Sequence, residues 1–246
     1  MPNVKIEVTN ESRTLTDDEV KAAIPALQTQ VSRDFAPVWG TDAQLSFAAP
    51  AALSDDSWWL VVLDDSDQAG ALGYHDVTSN FLPLGKVFAG TDKKYGHQWT
   101  VTASHELLEM LGDPDIDLVV FDQPTGTTGR LYAMEVCDAP EAEEYAYKIG
   151  DTLVSDFVHP SWFQPHAANG NGNADGAGFD HGGFIKKPLE LLPGGYIGVF
   201  DVSSGTGWTQ QTGSESPAYA NRPHVGSRRE RRRTPRDQWL PSTRRS

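Results

Sequence analysis

The sequence predicts an α+β fold, with five strands and two helices in the first 112 residues and an irregular C-terminal part. Two observations carry this. Short runs of strand character, separated by loops of Asp, Ser and Gly, recur at 4–8, 44–48, 58–63, 71–77 and 86–89. Two longer runs, 17–36 and 98–111, instead carry apolar residues at helical spacing.

Each element has a local reason. Val4-Lys5-Ile6-Glu7-Val8 alternates apolar and polar side chains and opens the chain as a strand. Thr16-Asp17-Asp18-Glu19 is a capping box, in which Thr16 accepts from the Glu19 amide and Glu19 reaches back. Val20, Ala23, Ile24, Leu27, Val31 and Phe35 then form the apolar face of the first helix. Pro25 lies inside it and removes a backbone donor, which predicts a kink. The second helix carries Leu107, Met110 and Leu111 as a core stripe and is closed by Gly112 and Pro114.

Beyond residue 112 the pattern loosens into a second part, 113–220. Apolar runs at 118–121 and 131–136, a strand candidate at 151–158 and a last strand at 196–201 are its ordered features. Residues 166–183, rich in Gly and Asn, read as a long mobile loop. Within it Asn171-x-Asn173-x-Asp175-Gly176 has the start of a calcium loop but not the closing Glu.

Composition narrows the function classes. An apolar fraction of 38% and an aromatic fraction of 10% exclude a wholly disordered chain. No apolar run approaches the ~18 residues of a membrane helix, so no transmembrane segment is expected. The first residues lack the layout of a signal peptide, which makes cytoplasmic location the expectation and leaves a virion open. Cys137 is the single cysteine, so no internal disulfide or thiolate cluster exists and any metal must be held by His and carboxylates.

Charge is distributed unevenly. The net charge of −14 combines +7 in residues 221–246, where nine Arg face Glu230 and Asp237, with −21 in the rest. An acidic body repels phosphate, so nucleic acid is expected to bind only through the Arg-rich tail. That tail reads as a disordered extension, with an anionic membrane or the protein's own acidic body as its other possible partners.

The chemistry lies in Ser104-His105-Glu106-Leu107-Leu108-Glu109-Met110-Leu111-Gly112. Positions four apart share a helix face, so His105 and Glu109 can contact one ion. Glu106 can reach a water on that ion. This is the mechanical logic of His-Glu-x-x-His zinc hydrolases, with Glu in the second ligand position. Carboxylate oxygen is an acceptable zinc ligand, but its charge makes the metal a weaker Lewis acid.

The order strand, helix, four strands and metal-motif helix resembles the N-terminal half of the metzincin zinc peptidases, over about residues 1–138. The extended motif of that family maps onto His105, Glu106, Glu109, Gly112 and Asp115, with Glu109 standing where the family has a second His. The resemblance implies a mixed, mostly five-stranded sheet packed on two helices, a bound Zn²⁺ and a peptide or protein substrate. It also implies a Met-bearing turn, which Met134 matches. The chain is similar as well to uncharacterised phage and bacterial proteins with a His-Glu-x-x-Glu helix followed by Glu-x-x-Asp, here Glu135 and Asp138.

The third ligand stays open. Asp115 fits if Gly112 turns the chain back, and Glu135 fits a plan in which a downstream Glu completes the pair. Asp138 is either a ligand or a residue orienting His105. Asp113 reads as a cap. His75, on an edge-like strand, reads as a half-exposed strand residue, with a substrate groove as the sharper alternative. His97, His159, Trp162, Phe163 and Cys137 read as loop or core residues. Two functional expectations result. One is a zinc-dependent peptidase with Glu106 as general base; the other is a non-catalytic, metal-stabilised accessory module whose basic tail binds nucleic acid or an acidic partner.

Overall fold

The computed structural model describes residues 4–67, 71–77, 81–124, 126–166, 178–203 and 207–215. The first part holds a five-stranded sheet built from β1 (Val4–Asn10), β2 (Ala43–Phe47), β3 (Trp58–Leu63), β4 (Gly73–Val77) and β5 (Pro83–Phe88). Its order is β2-β1-β3-β5-β4. The first four strands in that order are parallel, and β4 runs antiparallel to β5 at the edge. The sheet is therefore mixed, as expected.

The first helix, α1 (Asp17–Thr29), begins at the capping box: the Thr16 side chain accepts from the Glu19 amide and Glu19 accepts from the Thr16 amide. Helical geometry runs through Pro25. The departure from it falls one turn later, as a π-helical stretch Gln30–Phe35 that leads into α2 (Ala36–Trp39) and stops at Gly40 in the left-handed conformation. Thr29 Oγ1 donates to the Pro25 carbonyl and closes the turn between these features.

Two helices follow β5: a short α3 (Ala89–Tyr95), absent from the sequence reading, and α4 (Trp99–Gly112). Every residue of α4 from Val101 to Leu111 is buried. A helix buried all round needs cover on both faces. The sheet supplies one side, through β5 and β4, and β9 (Thr152–Val154) contributes to the other. Ser104 Oγ accepts from the Ser155 amide at 2.6 Å, so this second contact is hydrogen-bonded as well as packed.

The later part is more regular than expected. β6 (Val119–Asp122), β7 (Arg130–Ala133), β10 (Tyr196–Asp201) and β11 (Trp208–Thr212) form a four-stranded antiparallel sheet in the order β11-β10-β7-β6. β8 (Tyr147–Ile149) pairs with β9 in a separate hairpin. The run 151–158 yields only β9 and an isolated bridge from Val158 to Asp180. One apolar core joins Ile6, Leu60 and Val87 of the first sheet, Leu107 and Leu108 of α4, and Val136, Phe157, Trp162 and Val199 of the later part. Among the described residues, no helix is long and apolar enough to cross a membrane. The calcium-like run 171–176 and the tail 221–246 lie outside the described residues.

Candidate metal centre

Three segments bring the site together. On α4, His105, Glu106 and Glu109 occupy adjoining faces and are all at most 5% exposed. Opposite them, His75 is the middle residue of β4 and is 2% exposed. The third segment follows β7: Glu135 and Asp138, three residues apart, are also buried.

Close approach of α4 to the sheet depends on missing side chains. A Cβ on Gly73 would stand 2.7 Å from Glu106 Oε1 and from Thr102 Cγ2, and 2.8 Å from the Lys86 carbonyl. Gly85, directly across from His75 in the β4–β5 ladder, leaves room for Met110 and the stem of Glu106. At the other end Gly112 makes room for Val136, whose segment carries Glu135 and Asp138. That segment is not a strand. Its carbonyls accept from neighbours instead: Val136 from the Val158 amide, Asp138 from Tyr196 and Ala139 from Leu192.

The resulting distances define two groups that share Glu109. In the first, His105 Nε2 lies 3.0 Å from Glu109 Oε1 and 3.2 Å from Asp138 Oδ1. In the second, His75 Nδ1 lies 3.2 Å from Glu109 Oε2, while His75 Nε2 lies 3.8 Å from Glu135 Oε2. Each triad offers ligand atoms within 4.8 Å of one another. Tetrahedral zinc ligands ~2.0–2.1 Å from the ion sit about 3.4 Å apart, close to the 3.0 and 3.2 Å that separate His105 Nε2 from Glu109 and Asp138. Glu106 Oε2 lies 3.9 Å from His75 Nδ1, on the β4 side of the helix.

The candidates from the sequence thus fall into three classes. His105, Glu109, Glu135 and Asp138 converge, with Asp138 beside His105 and Glu135 beside His75. Glu106 adjoins them. Asp115 is exposed beyond the helix end and belongs to neither triad. Asp113 caps: its carboxylate accepts from the amides of Asp117 and Leu118. Met134 packs on the core, and its amide donates to the Leu118 carbonyl.

His75 was read as half-exposed and is instead buried within the cluster. Its local signal, Gly73-Tyr74-His75-Asp76, carries no ligand spacing. Only the antiparallel run of β4 across α4 brings it to Glu109. The remaining candidates lie elsewhere. His97 Nδ1 is 3.3 Å from Glu143 Oε2. His159 is buried 5.9 Å, ring to ring, from Phe157. Trp162 and Phe163 are core residues, and Trp162 Nε1 donates to the Glu190 carbonyl. Cys137 is buried in the core and belongs to neither triad; burial first and the Asp138 charge second push its thiol well above the usual range.

Electrostatically the cluster is acidic. Glu106, Glu109, Glu135 and Asp138 are four buried carboxylates around two imidazoles. Lys86, also buried, reaches Asp67 and Tyr74 instead. Tyr74 alternates with His75 along β4, so this lysine occupies the opposite face of the sheet. Burying such charge is costly unless cations or protons compensate it. No protein-family model, curated protein or solved structure matches this chain.

Proposed function

We propose that the chain is a zinc-dependent hydrolase of metzincin-like type that cleaves an amide bond, with His105, Glu109 and Asp138 as its metal-holding residues. The observation that carries this reading is that Glu109 Oε1 and Asp138 Oδ1 lie 3.0 and 3.2 Å from His105 Nε2, with ligand atoms of the three residues within 4.8 Å of one another. One nitrogen and two carboxylate oxygens make an acceptable donor set for zinc, which leaves a fourth position open. When bound, the ion would polarise the scissile carbonyl and acidify water.

The chain's own residues supply the rest. Glu106 takes a proton from the attacking water on a carboxylate oxygen and returns it to the leaving amine. Burial of Glu106 excludes bulk water and strengthens its electrostatic coupling to its neighbours. Glu109, one helical turn along, and Asp138 both present an oxygen to the same His105 nitrogen, Nε2, which is the arrangement of co-ligands around one ion. Peptide addition along β4 is not part of this reading. β4 is the sheet edge, but all five of its residues are buried.

The test is elemental analysis of the purified chain beside His105→Ala, followed by turnover of a peptide library. Wild type should carry zinc and His105→Ala should carry less. Glu106→Gln should keep the metal and lose at least ~10²-fold in hydrolysis. Full turnover by Glu106→Gln would remove the general-base role. A second reading, a metal-stabilised module without catalysis, is favoured by the burial of His75, His105, Glu109, Glu135 and Asp138, since a substrate needs access. It predicts bound metal, a melting temperature lowered by chelator and no hydrolysis of any peptide.

A further inference from the structure

Glu109 does not face one imidazole; it faces two. Its Oε1 lies 3.0 Å from His105 Nε2 and its Oε2 lies 3.2 Å from His75 Nδ1. A carboxylate that presents its two oxygens to two nitrogen donors on opposite sides has the form of a bridge between two cations, not of a terminal ligand to one. Asp138 adds a carboxylate at the same His105 nitrogen, while Glu135 lies 3.8 Å from the other nitrogen of His75, Nε2, and one ligand atom each of His75, Glu109 and Glu135 lie within 4.8 Å of one another.

We infer that the protein holds a second divalent transition-metal ion, ligated by His75, Glu109 and Glu135, next to the position formed by His105, Glu109 and Asp138. The inference rests on the metal-centre reading above and extends it from one ion to two. An imidazole nitrogen with two carboxylate oxygens suits zinc or manganese. Three observations support the pairing.

Charge is the first. With neutral imidazoles, the four carboxylates Glu106, Glu109, Glu135 and Asp138 sum to −4. One divalent ion leaves −2 in a buried site, and two ions neutralise it. The second is the side chains that are missing: Gly73 and Gly85 let α4 approach β4 and β5 closely where His75 lies across from Gly85. The third is Glu106, whose Oε2 stands 3.9 Å from His75 Nδ1. The proposed general base therefore stands beside the second position.

The experiment is metal stoichiometry on the full chain, stripped with chelator and titrated with Zn²⁺ and separately with Mn²⁺. Calorimetry and elemental analysis give ions bound per chain, and electron paramagnetic resonance of the Mn²⁺ form reports whether the ions are coupled. Wild type should bind two ions with a coupled Mn²⁺ spectrum. His75→Ala and Glu135→Gln should each bind one, with an uncoupled spectrum and an unchanged far-ultraviolet circular dichroism. Wild type saturating at one ion, or both variants keeping two, would overturn the second position while leaving the single-ion reading in place. No binding by wild type would overturn both. The wild-type stoichiometry decides the matter even if one variant fails to fold.

Discussion

Gly73→Ala tests whether the approach of α4 to the sheet edge depends on a missing Cβ. The added carbon would sit 2.7 Å from Glu106 Oε1 and Thr102 Cγ2 and 2.8 Å from the Lys86 carbonyl oxygen. A side chain can rotate away, but the carbonyl belongs to the β5 backbone and cannot. Overpacking of this kind costs ~1–3 kcal/mol. Against it, alanine restricts the unfolded chain and returns ~0.4–1 kcal/mol, because the position does not need a positive φ. The net loss is then about 1–2 kcal/mol, or a melting temperature lower by roughly 2–8 °C for a chain of this size. Circular dichroism melts in chelator isolate the packing effect from metal binding. A Gly73→Ala chain that melts within a degree of wild type would refute the argument.

The other predictions concern stability and pH. Saturating Zn²⁺ at about 100 times the Kd of one site should stabilise the wild type by ~2.7 kcal/mol, a rise of roughly 5–10 °C in Tm that His105→Ala reduces. Thr16→Ala removes the capping box of α1 and should cost ~1 kcal/mol in urea unfolding. Phe157→Ala, at a fully buried ring stacked on His181 and edge-on to Phe35, should cost ~3–5 kcal/mol by the same measurement. Burial, and then the charge of Asp180, push the Asp156 carboxyl up to about 8. Asp156 therefore keeps its proton in the folded chain where the unfolded chain has lost it, and its contribution to stability falls as pH rises from about 4 to about 8. Tm measured across that range should fall less in Asp156→Asn than in wild type; parallel curves would contradict the shift.

Much of the fold was legible because its elements carry their own local signals. The capping box at Thr16 and Glu19, the stripe from Val20 to Phe35 and the apolar run at Trp58–Leu63 each specify an element without reference to the rest. Pro25 does not end the helix, and the π-helical stretch at Gln30–Phe35, with Gln30, Val31 and Phe35 buried, carries no local signal of its own. α3 escaped notice because Ala-Gly-Thr-Asp-Lys-Lys-Tyr has no apolar stripe; its signal is the left-handed Gly96 that ends it. β11, Trp-Thr-Gln-Gln-Thr, is a polar edge strand that its pairing with β10 defines.

The site divides along the same line. His105, Glu106 and Glu109 follow from helical spacing, and Glu135 and Asp138 from their own short segment. Which carboxylate meets which imidazole does not, since it depends on how the segment after β7 is held by Val158, Leu192 and Tyr196. His75 depends on topology even more. Were β4 shifted by one residue against β5, Tyr74 would face α4 and His75 would join Lys86 on the far side.

That dependence gives a reason for glutamate at position 109. An imidazole there would present one nitrogen to the ion beside His105 and could not bridge to His75 from the same rotamer. A carboxylate can serve both sides. Glu109→His therefore discriminates between the single-ion and two-ion readings. If Glu109 is only a terminal ligand, His at this position should hold one ion as firmly as Glu, because it restores an ordinary zinc donor. If Glu109 bridges, Glu109→His should keep the ion beside His105 and lose the one beside His75, reducing the stoichiometry from two to one and abolishing Mn²⁺ coupling. Titration of that variant beside wild type, with circular dichroism to confirm the fold, gives the answer; two coupled ions in Glu109→His would show that the carboxylate is not the bridge.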